Sequence, residues 1–186
     1  MKNVLHRAAL TALVAATLGL TGSAFAQVDL TQSKVSAVAK QMNVPTEGVF
    51  KKFTADVKFD PAKPAQAHAA VTIDVGSYDL GDPAYNAQVT GTEWFDAKDF
   101  PQARFASTAV TPAGGNRYNV TGTLTIKGKT VPVTVPMTVT QAGGKQVFDG
   151  VLEIKRSTFN VGTGEWKDTS VVADEVQIKF HIVAAK

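Results

Sequence analysis

The chain has 186 residues, of which 44% are hydrophobic and 19% charged, with 19 Lys and Arg against 16 Asp and Glu and no cysteine. The missing cysteine excludes disulfides, thiolate metal sites and cysteine nucleophiles. No block of Lys or Arg occurs, so binding to a phosphate backbone has no footing and no nucleic-acid partner is expected.

Residues 1–26 read as a cleavable signal peptide. Lys2 and Arg7 give a positive start, residues 8–20 are almost wholly apolar, and Ala24-Phe25-Ala26 supplies a small-x-small cleavage pattern. The apolar run is short for a bilayer span. The expectation is a domain of residues 27–186, located in the periplasm and not membrane-spanning after cleavage. Loss of Lys2 and Arg7 leaves 17 basic residues against 16 acidic ones. The basic pI of the full chain is therefore largely a property of its leader.

From residue 33 onward, period-two alternation dominates. Val131, Val133, Val135, Met137 and Val139 alternate with Thr or Pro. Tyr118, Val120, Leu124 and Ile126 alternate with polar residues, as do Val71, Ile73 and Val75. The same holds for Phe53, Ala55, Val57 and Phe59, and for Val176, Ile178, Phe180 and Ile182. Eight strands are predicted, at roughly 33–42, 49–59, 67–76, 103–111, 117–126, 129–140, 146–157 and 172–184. Gly-Gly pairs at 114–115 and 143–144 and Lys127-Gly128 mark turns. One short helix is expected over 82–91, with Asp82 as cap and Pro83 in its first turn. Residues 158–170 read as a loop. The fold class is all-β, either an antiparallel eight-stranded barrel or a two-sheet sandwich.

The parity that points inward contains Phe53, Val57, Val71, Ile73, Val120, Leu124, Val133, Val135, Leu152, Ile178 and Phe180. These are expected to line one apolar tunnel. Trp94, Phe95 and Phe100 cluster after the helix and are expected to close one end; Phe105 adds to an aromatic set suited to a long apolar ligand. Arg156 shares the inward parity. It can meet a polar head group, or it can pair with Asp174 or Glu175 and pin the 158–170 loop, the latter being preferred. Pro132 and Pro136 remove two donors from one side of the strongest strand. That side reads as an edge, a bulge or a splayed mouth through which a chain can enter.

Catalytic and metal chemistry find no support. His68 and His181 are the only histidines after the leader and have no ligand spacing to a third group. There is no Gly-x-Ser-x-Gly elbow, and the acids are scattered. No catalytic residue, metal or cofactor is assigned.

In order and spacing the chain resembles the YceI family of lipocalin-like, polyisoprenoid-binding proteins. The resemblance is carried by Gly48-Val-Phe-Lys-Lys-Phe53, Phe59-Asp-Pro61, Val71-Thr-Ile-Asp74, Trp94-Phe-Asp96 and Ala103-Arg-Phe105. It continues through Tyr118-Asn-Val-Thr-Gly122, Val131-Pro-Val133, Ile154, Arg156, Phe159, Val161-Gly162 and Asp174-Glu-Val176. It implies a lipocalin-like barrel and a non-enzymatic carrier that encloses a long-chain isoprenoid lipid, polyprenyl or quinone-like. A ligand-free structural module and an enzyme acting on a lipid or small redox molecule are the alternatives, and a homodimer is left open. One departure is that residues 82–91 contain neither the His nor the Arg that the family often carries there.

Overall fold

Alternation of apolar and polar residues builds ten antiparallel strands in the computed structural model, which describes residues 27–186. The predicted leader lies outside the described residues. In chain order the strands are β1 (Lys34–Gln41), β2 (Val44–Phe50), β3 (Phe53–Lys58), β4 (His68–Asp74) and β5 (Tyr78–Asp79). Helix α1 (Pro83–Val89) follows, then β6 (Gln102–Pro112), β7 (Arg117–Ile126), β8 (Lys129–Ala142), β9 (Lys145–Lys155) and β10 (Val172–Ala185). Neighbours run β3-β4-β6-β7-β8-β9-β10-β1-β2-β5. No helix among the described residues is long and apolar enough to cross a membrane.

The two ends of that order belong to one ribbon. β2 and β3 are a single bent strand broken at Lys51 and Lys52; β4 and β5 are another, broken by the 3-10 turn Val75–Ser77. On one side of the bend Phe53 pairs with Ile73 and Lys58 with His68. On the other, Phe50 pairs with Tyr78 and Val49 with Asp79. Across it, the Asp74 amide donates to Lys52 O, the Lys51 amide to Ser77 O, and the Lys52 amide to Ser77 Oγ. Since β2 also pairs with β1 and β4 with β6, the sheet curls into a barrel-like ring. Counting each bent strand once restores the eight expected. The stretch read as one strand at 49–59 covers the last two residues of β2 and all of β3, with the corner at the twin lysines inside it; the first five residues of β2 and all of β5 were not foreseen.

The helix forms as predicted. The Asp82 carboxylate accepts from the Ala84 and Tyr85 amides, and Pro83 occupies the first turn, where a missing N–H costs nothing. The segment after it folds over one barrel end. Phe95 and Asp96 amides donate back to Val89 O and Gly91 O, while the Gly162 and Thr163 amides donate to Glu93 O. Lys127 Nζ ties the cap down by donating to Thr92 O at 2.6 Å and Asn160 O at 3.1 Å.

One stretch of the wall is open. β8 pairs with β7 along its whole first part, from Ile126↔Lys129 to Asn119↔Pro136. It pairs with β9 only from Met137↔Gly150 onward. Pro132 and Pro136 lie opposite Thr123 and Asn119 in an intact β7 ladder, so their nitrogens face the β9 side. Hydroxyl pairs Thr121–Thr134 (3.4 Å) and Thr125–Thr130 (2.8 Å) mark the same parity as the closely spaced, non-hydrogen-bonded positions. The splayed side read from the two prolines is present.

Hydrogen exchange is expected to split β8 by parity. The Val131, Val133 and Val135 amides, directed at β7, exchange slowly; the Thr130 and Thr134 amides, directed at the open side, exchange fast. Equal protection at both sets would mean that β9 closes the gap.

Candidate functional site: an apolar barrel interior

The inward side chains do not fill the ring. They surround a cavity of about 480 Å³, inside the ~300–1,000 Å³ range of small-molecule sites. β3 and β4 contribute Val57, Val71 and Ile73 to its wall; β6 and β7 contribute Phe105, Val120 and Leu124. Val135, Leu152, Ile178 and Phe180 come from β8, β9 and β10. Trp94 and Phe95 close in from the cap. Among the described residues no Asp or Glu lines it. The wall therefore offers apolar contact over most of its area and no carboxylate pair.

Two residues expected on this wall are elsewhere. Phe53 is half-buried and packs on the core from the corner where β3 begins, outside the cavity. Val133 faces a second, smaller cavity at the open side of β8. Phe100, expected in the lid, does not line the cavity; it is 36% exposed and rests beside Gly128 in the β7–β8 turn.

Several wall residues escaped the sequence reading. Val35 and Ala37 of β1 line the cavity, and their small size makes alternation in β1 a weak signal. Trp166 also reaches it, as do Phe59, Phe148 and Phe159, which belong to the aromatic set that the sequence marks as suited to such a pocket. Phe59 stands edge-on to Tyr118 and Phe148, with ring centroids 4.9 and 5.7 Å away, and narrows one end. Trp94 and Trp166 meet at 5.3 Å near the other. Trp166 sits in a polar, Gly-rich loop, where no periodicity could have announced it.

Three inward glycines shape the bore by what lies on them. A Cβ at Gly48 would strike the Tyr78 ring, one at Gly122 the Phe105 ring, and one at Gly150 the Phe180 ring. Each missing side chain lets an aromatic ring lie against the wall instead of standing across the cavity. The Tyr78 hydroxyl donates to Ala37 O at 3.2 Å, and burial pushes its pKa up to about 12. It is neutral at physiological pH.

Arg156 is buried, with 3% of its surface exposed. Nε donates to Ala173 O; Nη1 donates to Val161 O and Gly162 O; Nη2 donates to Trp166 O and Val172 O, all at 2.6–3.1 Å. All five donors are used, so no N–H remains for a ligand head group. The expected carboxylate pairing is corrected as well. Asp174 instead accepts from the Ser157 amide and hydroxyl, both at 2.9 Å. The loop-pinning role stands, carried by backbone carbonyls. Burial pulls the Arg156 pKa down and the neighbouring Asp174 charge opposes that pull. The guanidinium also lies 5.7 Å from the Trp94 ring centroid, a cation–π contact joining loop to cap. Trp94 Nε1 is the one buried side-chain polar atom without a partner among the described residues.

The two histidines lie outside the cavity's chemistry. His181 Nδ1 is 2.6 Å from Asp149 on the exposed outer face. His68 starts β4 at a rim of the cavity and is exposed.

Comparison with known proteins gives a consistent picture. Residues 27–184 match the family described as a YceI-like domain. Protein YceI of Salmonella arizonae is 31% identical over 141 residues, 73% of this chain and 71% of that one. The crystal structure of Burkholderia cenocepacia BcnA is 73% identical, with a TM-score of 0.84, covering 86% of this chain and all of that one. A polyisoprenoid binding domain from Saccharophagus degradans superposes with a TM-score of 0.70 over 85% of this chain and 96% of its own, at 16% identity; that likeness is one of fold.

Arg156→Met leaves five carbonyls without their donor, and the expected loss of stability is about 3–5 kcal/mol. Arg156→Lys is expected to recover little of it, since an ammonium has three donors and no planar fork. Denaturant titration checks both. A methionine variant within about 1 kcal/mol of the native protein would show that the loop is held by something else.

Proposed function

The chain belongs to the YceI family, and from that premise we propose that it is a binding or carrier protein, not an enzyme, that encloses a long isoprenoid-type chain of the polyprenyl or quinone kind. The observation that carries this reading is the 480 Å³ interior walled by aliphatic and aromatic side chains with no carboxylate on it. A related fold described as a polyisoprenoid binding domain supports the ligand class. The leader pattern of residues 1–26 supports a periplasmic location.

The mechanism is desolvation. Each buried methylene contributes about 0.8 kcal/mol, so a five-carbon unit gives on the order of 3–4 kcal/mol gross. Ordering and association cost ~4–15 kcal/mol. A few enclosed units offset this without any ionic contact, which agrees with an Arg156 whose donors are all occupied. Discrimination is then by slimness and length. A ligand-free structural module has less support, because an unfilled apolar interior forfeits the dispersion contacts that a packed one keeps.

Native mass spectrometry of protein isolated from a bacterial periplasm tests the reading. A copurifying polyprenyl or quinone species is expected, together with a shift in tryptophan emission on loading, since Trp94 and Trp166 both line the cavity. Leu124→Trp places an indole across the bore and is expected to abolish the bound species while the fold is kept. Protein free of extractable lipid, and unable to take up added polyprenol, would overturn it.

A further inference from the structure

We propose that the apolar chain passes through the side of the barrel, by way of the seam between the first half of β8 and the second half of β9. This rests on the lipid-binding reading above. Along that seam β8 keeps its β7 ladder through Pro136 but has no partner in β9, and β9 beyond Gly150 pairs only with β10.

The seam is held open by covalent structure. Of the backbone groups at 130, 132, 134 and 136 that face β9, two are prolines and have no N–H. A closed ladder would lose half of its β8 donors there. The strands can therefore part at this place without breaking hydrogen bonds. Along the β7–β8, β9–β10 and β1–β10 seams a passing chain would have to open a formed ladder.

What lies in the gap is apolar. A cavity of about 150 Å³ sits between the strands, with Val131, Val133, Ile154 and Phe159 among its walls and Glu153 and Lys155 at its outer side. Ile154 and Phe159 also line the main cavity. The two spaces are thus partitioned by two side chains. Phe159 is 2% exposed and fixed in its 3-10 turn, whereas Ile154 is half-buried on the strand that borders the gap. A rotamer change at Ile154 joins the spaces, and such flips occur far faster than strand separation. The aromatic clusters at Phe59–Tyr118–Phe148 and Trp94–Trp166 narrow the two ends. Where the main cavity reaches exposed and half-buried residues between β1, β2 and α1, Gln41, Thr46 and Gln88 line it, whereas Val131, Val133 and Ile154 line the seam.

The protein has no cysteine of its own, so a staple can be placed cleanly. Thr134→Cys and Glu153→Cys stand opposite one another if the Met137↔Gly150 register is continued. They are joined by a short bis-maleimide whose spacer contains a reducible disulfide. The probe is a C40 polyprenol in phosphatidylcholine vesicles, with protein-bound polyprenol measured over time. Stapled protein is expected to load at least tenfold more slowly than the unstapled double variant, and reduction of the spacer is expected to restore the rate. Loading of the fully stapled protein at the unstapled rate would overturn the side route while leaving the lipid reading intact. Failure of both forms to take up polyprenol would overturn the lipid reading and the route with it.

Discussion

The ring closes because two strands bend instead of ending. Residues 44–58 and 68–79 run side by side as one ribbon, with one arm paired to β1 and the other to β6. Without that shared ribbon, β3-β4 and β2-β5 would be the two unjoined edges of an open sheet. The Val35, Leu124 and Leu152 side chains, all under 10% exposed, would then face water. The bend is fixed by backbone bonds from Lys51, Lys52 and Asp74 and by the Asp74 carboxylate, which accepts from the Gly76 amide at 3.0 Å. Closure converts a period-two pattern into an inside and an outside, and the cavity is a consequence of it.

The interior is kept open and apolar by two devices. Glycines at 48, 122 and 150 allow aromatic rings to lie flat along the wall. Arg156, a charge on the inward parity of β9, is consumed by five carbonyls of the loop that it organises and of the start of β10. The loop and the cap after α1 are tied together through Glu93 O and Lys127. A site built this way offers a long chain a low-dielectric bore and offers an anion no free donor from Arg156. Affinity then scales with apolar area buried.

Much of this was legible in the sequence. Alternation placed the strands, and the parity set found the wall at Val57, Val71, Leu124, Leu152 and Phe180. Asp82-Pro83 gave the helix start, and the proline pair gave the open side of β8. The bend at Lys51 and Lys52 was legible only as a change of inward parity, even at Phe50 and odd at Val57, which a single strand over 49–59 overlooks. Phe53 was misplaced for that reason. Val133 shares its parity with Val135 but faces the seam, a distinction that depends on which neighbour is missing. Arg156 was assigned a carboxylate partner because charge is visible in a sequence and a convergence of backbone carbonyls is not. Trp166 and the ring-bearing role of the glycines arise from contacts between distant segments.

The central claim is that the interior is a binding site for a long apolar chain. A high-resolution crystal structure of the protein purified from its native host, without delipidation, tests it most directly. The account predicts continuous elongated density running past Leu124, Leu152 and Phe180, bounded by Trp94 and Phe59. An interior occupied by ordered water, or collapsed so that these side chains touch one another, would contradict it.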